Sequence, residues 1–188
     1  MDGLALLVGR VILAWGALDQ QLHYSLNSLS RALGEPWERN EGRFSERKRL
    51  FRRKLVKLNL SDDAIRNLDR FLCGYLDVVE SERGVIAHGM ISARENGARF
   101  LNMPEFLGTV IVGDSIPAKH FTHQQLERLE WEIQDAMGLI MSFTFDAISP
   151  PDQRENRKAP LLSRSRQSGA GPIWPRPSTP SGKGEATH

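Results

Sequence analysis

Length, composition and charge limit this chain to one domain of ordinary size with an appendage. It has 188 residues, 40% of them hydrophobic and 26% charged, which is the range in which a globular core can be buried. The single cysteine, Cys73, excludes an intrachain disulfide and a multi-cysteine metal site, and its apolar neighbours predict a buried, inert thiol. The sequence shows neither a signal-peptide pattern nor 18 uninterrupted apolar residues, so we expect a soluble, cytoplasmic protein with no membrane partner.

The formal net charge of +2 is unevenly distributed along the chain. From Ser149 onward there are seven Lys/Arg and three Asp/Glu, and subtracting these from 25 and 23 leaves 18 basic and 20 acidic residues, a charge near −2, for the rest. Seven of the ten prolines lie between Pro150 and Pro180. Such a segment cannot bury enough apolar area to offset its ordering entropy, roughly 1–2 kcal/mol per residue. We therefore expect a folded domain over residues 1–148 and a disordered Pro/Ser/Arg-rich tail over residues 149–188.

The chain opens with a predicted amphipathic helix from about Gly3 to Leu33. Gly34, followed by Glu35-Pro36, is the expected stop signal. Apolar residues recur along the helix at three- and four-residue steps: Leu4, Leu7, Val8, Val11, Trp15, Leu18, Leu22, Leu26, Leu29 and Leu33. This single stripe predicts a long helix that packs in a bundle.

Two further helices are expected in the middle of the chain. The second begins near Phe44 or Ser45 and is rich in Lys and Arg. The third follows Ser61, an expected N-cap, and continues to about Ser81 or beyond. The pattern leaves open whether Arg83 ends this helix or begins another.

A β-hairpin and a last helix complete the predicted domain. Strands over Met90–Arg94 and Ala98–Met103 flank Glu95-Asn96-Gly97, and Asn-Gly favours a tight hairpin turn, while Leu107–Val112 is a candidate third strand. Thr122 and Gln125 form a capping box at the start of the final helix. Its expected core face consists of Leu126, Leu129, Ile133, Met137, Ile140, Met141 and Phe145. The predicted fold is therefore all-α: a four- to five-helix bundle with a small β-hairpin inserted between the last two main helices.

One short stretch carries most of the functional information. Arg83 and His88 are separated by four residues and followed by Gly89. A five-residue step on a helix places two side chains about 140° apart, yet they could converge on one phosphate across a helix end or a dimer seam. A guanidinium grips a phosphodiester and an imidazole exchanges protons near neutral pH, so the pair is a candidate metal-free cleavage site. In the alternative interpretation Arg83 is a helix-terminal cation and His88 is a packing residue near a turn.

The stretch Arg83-Gly84-Val85-Ile86-Ala87-His88-Gly89 resembles the signature of the HEPN superfamily, in which four to six residues separate an arginine from a histidine after a long helix. The segment Trp15-Gly16-Ala17-Leu18-Asp19 is similar to a Trp-Gly-x-x-acidic segment of some bacterial members. A short β insertion before a Thr-capped helix also matches. The similarity covers Gly3 to about Ile148.

This resemblance implies a metal-independent endoribonuclease, often a toxin or defence effector, that works as a homodimer with two Arg/His pairs in one cleft. It implies Arg83 as phosphate stabiliser, His88 as acid/base group and Asp19 as the residue that orients them. It implies neither metal nor cofactor, and an antitoxin or other protein is a candidate partner. Gly84 stands where a polar residue is usual, and Asp19 is one methylene shorter than the usual Glu. Because many members are non-catalytic, the alternative is a helical module that binds RNA or a protein.

A basic run provides a second, weaker signal. Between Arg39 and Lys57 there are nine Lys/Arg and two acidic residues. The candidate nucleic-acid ligands in it are Arg47, Arg49, Arg52, Arg53 and Lys57. The alternative is a solvated helix face. The histidines show no metal-ligand spacing, and the sequence contains neither GxGxxG nor a P-loop motif.

Overall fold

The computed structural model describes residues 2–36, 42–94, 97–102 and 118–150. The helices in these ranges are α1 Asp2–Ala32, α2 Phe44–Lys57, α3 Asp62–Asp69, α4 Asp77–His88 and α5 His123–Ile148, and a π-helical segment, Arg70–Leu76, joins α3 to α4. The strands are β1 Gly89–Arg94, β2 Gly97–Asn102 and β3 Ala118–Thr122. All but the first two residues of the predicted tail, and the candidate strand at 107–112, lie outside the described residues.

The all-α bundle with a small β insertion is confirmed. In the described ranges α3, the π-helical segment and α4 follow one another without a break and form one rod. The strands come after this rod in sequence and before α5. Strand β1 pairs antiparallel with β2 so that Arg94 is opposite Gly97, which leaves two residues for the hairpin loop. Strand β3 adds to β2, giving the order β1-β2-β3. Thr122 ends β3 and caps α5, since its side chain accepts a hydrogen bond from the backbone N–H of Gln125.

The first two helices run parallel. Near the middle of α1, Trp15 packs on Phe44 at the start of α2, with ring centroids 4.6 Å apart. Beyond the end of α1, Glu35 pairs with Lys54 in the last turn of α2. Both helices therefore progress in the same direction between these contacts.

The rod formed by α3 and α4 runs in the opposite direction. Arg52, towards the end of α2, pairs with Asp69, whereas Lys48, near its start, pairs with Glu80. On the other side, Phe71 stacks on Phe143 of α5, at a centroid distance of 5.9 Å. The rod is therefore antiparallel to α2 and also contacts α5, while the most extensive packing between helices joins α1 to α5.

Two predictions about buried side chains are wrong. Cys73 is exposed, because the buried stripe of the rod recurs at three- and four-residue steps through Leu72, Leu76 and Val79 and does not include it. Met141 and Phe145 are also exposed, at 38% and 51%. The face of α5 that packs inward instead passes through the small residues Ala136 and Ala147, which allow neighbouring helices to approach closely.

Helix α1 has the length and apolar composition of a bilayer span over Gly3–Ala32. A core helix satisfies the same criterion, and Val11, Leu18 and Leu22 of α1 are completely buried within the bundle. The absence of a membrane partner stays a prediction.

Candidate functional site

Arg83 and His88 lie on one uninterrupted helix. Helix α4 continues through Arg83 and ends at His88, so Arg83 neither ends a helix nor begins one. Arg83 is half-buried and His88 is exposed. Their five-residue separation on a regular helix directs them about 140° apart. The folded chain therefore presents the arginine towards the bundle and the histidine towards solvent.

Arg83 is held by an aromatic ring rather than by a carboxylate. Its guanidinium carbon lies 4.9 Å from the ring centroid of Trp15, in the geometry of a cation–π contact. Trp15 is buried and is itself fixed by Phe44. The Nε of Arg83 is buried and has no hydrogen-bond partner. Over the described ranges, then, Arg83 carries a positive charge without an opposing carboxylate.

Asp19 lies one helical turn after Trp15 and forms an ion pair with Arg47 of α2. The side chains are 33% and 17% exposed, respectively, so the pair is partly open to solvent. The Nε of Arg47 is also buried and lacks a partner. The structure therefore brings Asp19 to Arg47, and no contact joins Asp19 to His88 within the described part of the chain. The role of Asp19 in orienting the Arg/His pair stays a prediction.

Most predicted nucleic-acid ligands on α2 are already engaged by carboxylates. Arg52 donates two hydrogen bonds to Asp69, at 2.6 and 2.9 Å, and Lys57 lies 2.8 Å from Glu35. Arg47 is engaged by Asp19, as above. Arg49 and Arg53 are exposed, one turn apart, and are without an ion pair in the ranges that the structure covers. Much of the basic run therefore holds α2 to its neighbours, which leaves two arginines facing solvent.

The two buried lysines of α2, Lys48 and Lys54, are both paired with carboxylates. Lys48 hydrogen-bonds to Asp77 and, at 2.5 Å, to Glu80. Burial alone would lower the pKa of Lys48, but these hydrogen bonds and the nearby negative charges outweigh it, so the pKa is raised. Hydrogen bonds from Lys54, and then from Lys57, lower the pKa of Glu35 to about 2. Sequence reasoning missed these pairs, although carboxylates at one-turn spacing along α4 were a visible signal.

Glu82, the residue before Arg83, attaches α4 to the β-sheet. Glu82 is buried and forms an ion pair with Lys119 of β3. The Lys119 ammonium also lies 5.3 Å from the ring centroid of Phe121, which is packed edge-on against Phe100 of β2. Consecutive residues of α4 thus attach it to two different elements: Glu82 to the sheet and Arg83 to α1.

The described residues contain no group of three or more His, Cys, Asp or Glu side chains that could hold a metal ion. The geometry instead offers an uncompensated guanidinium at Arg83, a second, half-engaged one at Arg47, and an exposed imidazole at His88. These groups could bind an anion and exchange a proton. Comparison of the chain with known protein families, with curated proteins and with solved structures finds no match.

Proposed function

We propose that the protein is a metal-independent, HEPN-like endoribonuclease in which Arg83 binds the scissile phosphate and His88 transfers the proton. The observation that carries this proposal is that Arg83 contacts an aromatic ring and has no carboxylate partner among the described residues. The other half-buried or buried cations at the junction of α1, α2 and α4, Arg47 and Lys48, are neutralised by carboxylates, whereas Arg83 is held by Trp15 and keeps its charge available. An arginine arranged in this way suits a phosphodiester.

The proposed reaction needs only groups supplied by the protein and the RNA. The ribose 2′-hydroxyl attacks the adjacent phosphorus, the bond to the 5′-oxygen breaks, and a 2′,3′-cyclic phosphate remains. His88 of one copy takes the proton of the 2′-hydroxyl and His88 of a second copy donates a proton to the leaving 5′-oxygen, while Arg83 stabilises the developing phosphate charge. Because Arg83 and His88 diverge on α4, we propose that a second copy of the chain completes the site, as a homodimer.

The decisive experiment measures RNA cleavage in the presence of a metal chelator. We expect the protein to cut RNA and to leave cyclic phosphate ends, and an RNA with 2′-deoxyribose at the scissile position to resist. His88→Ala should reduce the rate at least about 100-fold, the usual contribution of a general acid or base. His120→Ala, which removes an exposed histidine on β3, is the matched control and should cut normally. Undiminished cutting by His88→Ala would overturn the proposed mechanism.

A second candidate function is a non-catalytic helical module that binds another protein. It is favoured by large apolar side chains on the solvent faces of α1 and α5: Leu6, Leu13, Tyr24, Trp131, Met141 and Phe145. Apolar side chains that form a contiguous patch on a surface mark an interaction site. This function requires a folded protein that leaves RNA intact under the conditions above, and an Arg83→Gln variant that binds the same partner as the unchanged protein.

A further inference from the structure

Two buried hydrogen-bond donors in the described residues have no partner, and both belong to arginines. They are the Nε–H groups of Arg47 and Arg83. Buried polar groups are almost always satisfied, because leaving a donor unpaired forfeits its interaction with water. Two such donors in one small region therefore indicate a missing acceptor.

Both arginines contact the same face of α1, on two successive turns. Arg83 lies over the ring of Trp15, and Arg47 pairs with Asp19, one helical turn further along. Phe44 connects the two, since it packs on Trp15 and lies one turn before Arg47 on α2. The three helices that carry these residues thus bring two guanidinium groups to one aromatic-lined region.

This region carries an excess of positive charge, which favours the binding of an anion. Arg47 is paired with one carboxylate, Asp19, and Arg83 with none among the described residues. The carboxylates of α4 are engaged elsewhere, Asp77 and Glu80 by Lys48 and Glu82 by Lys119. A guanidinium has five N–H donors in a fixed fork, and a tetrahedral phosphate can accept from two forks at once. The partial exposure of Asp19 and Arg47 leaves a side from which a small anionic group could enter.

We propose that Arg47 and Arg83 form a two-arginine phosphate-binding site, and that Asp19 occupies Arg47 until a phosphate group displaces it. The inference rests on the proposed function in sharing Arg83, and it adds Arg47 as a second phosphate ligand. In this arrangement Asp19 is a competitor of the phosphate, and not the residue that orients the Arg/His pair.

The test is a titration of the full-length protein with inorganic phosphate at constant ionic strength, followed through the arginine Nε–H signals in ¹H–¹⁵N spectra. The signals of Arg47 and Arg83 should shift together along one saturating curve. Arg47→Gln should weaken binding about tenfold or more, as expected when a charge-assisted hydrogen bond is lost. Asp19→Asn should strengthen it several-fold. Arg66→Gln, which removes an exposed arginine on α3 that is paired with Asp63, is the control and should leave the binding unchanged.

A second variant distinguishes a loss of phosphate binding from a loss of folding. Arg47→Lys keeps the positive charge and the partner of Asp19 but removes the Nε–H and the fork, so it should also lose phosphate binding. A short RNA that shifts the same two signals would identify the RNA backbone as the source of the phosphate, and shifts with inorganic phosphate alone would identify a small phosphate compound. Absence of a phosphate-dependent shift at either arginine overturns the inference. Phosphate binding by a protein that does not cut RNA would overturn the proposed function alone.

Discussion

The guanidinium of Arg83 lies over the indole ring of Trp15, with 4.9 Å between its central carbon and the ring centroid. This contact joins the candidate catalytic helix to the first helix, and it connects the two segments of the chain from which a HEPN-like protein is predicted. Trp15 therefore has two roles: it is a buried core residue, and its ring holds the Arg83 guanidinium in place.

Replacing Trp15 should separate those two roles. Trp15→Leu should lower the free energy of unfolding by about 2–4 kcal/mol, near the range for large-to-small core substitutions, and should reduce RNA cleavage because Arg83 loses its ring. Trp15→Phe should lose less of both, since it retains an aromatic face. Urea denaturation and cleavage rates measured on the same preparations give the comparison. Equal cleavage by the folded Leu and Phe variants would contradict a role for the ring.

Nucleic-acid binding should depend on the two cations of α2 that lack an ion pair among the described residues. The double variant Arg49→Gln, Arg53→Gln should weaken binding to single-stranded RNA and reduce the slope of log K against log salt by about 1.4, roughly 0.7 for each phosphate that the protein no longer neutralises. Binding is measured by fluorescence anisotropy from low to moderate salt. Arg52→Gln is the contrasting variant, because its charge is engaged by Asp69 and it should alter the slope less. An unchanged slope in the double variant would mean that α2 does not bind RNA.

Acid should weaken the attachment of α1 to α2. The pKa of Glu35 is lowered to about 2 by hydrogen bonds from Lys54 and Lys57. Since the folded pKa lies below the unfolded one, this carboxylate stabilises the protein at pH values above about 4.5, and the contribution is lost as pH falls towards 2. Denaturation midpoints between pH 6 and about 2.5 should therefore fall less steeply for Glu35→Gln than for the unchanged protein. Glu127→Gln, an exposed carboxylate on α5, should retain the full dependence.

The buried lysine of α2 should contribute measurably to stability. Lys48→Met leaves Asp77 and Glu80 without their shared ammonium, and a cost of about 1–3 kcal/mol is expected because both pairs are partly shielded from water. Arg49→Met on the solvent face of the same helix should change the stability by less than about 0.5 kcal/mol. Chemical denaturation of both variants at neutral pH measures the difference. Equal stabilities would show that the Lys48 pairs are energetically neutral.

The helix ends could be predicted because their signals are local. Gly34 has a positive φ of 66°, which glycine adopts without strain, and Ser61 caps α3 through a hydrogen bond from Ala64. The hairpin followed from Asn96-Gly97 in the same way, and its paired strands confirm it. Each of these features depends on interactions within about four residues, which the sequence displays directly.

The contacts of the candidate site could not be predicted, because they join residues far apart in sequence. The pairing of Asp19 with Arg47 depends on α2 running parallel to α1, and no local pattern specifies that direction. The exposure of Cys73 depends on which face of the rod packs against the other helices, and the apolar residues next to it in sequence do not show that. Sequence reasoning therefore identified Arg83 and His88 as candidates but could not show that Trp15 supports one of them and that the other is exposed.

The parallel course of α1 and α2 has a consequence for how the chain folds. In an antiparallel helical hairpin the first contacts form near the turn, at small sequence separation. Here the contact between Asp19 and Arg47 joins residues that are 28 apart in sequence. Loop closure of this kind slows folding relative to local contacts. The α2–α3 pairing, closed by Arg52 and Asp69 over 17 residues, should form earlier, so that α1 docks late and assembles the site around Trp15 as one of the last events.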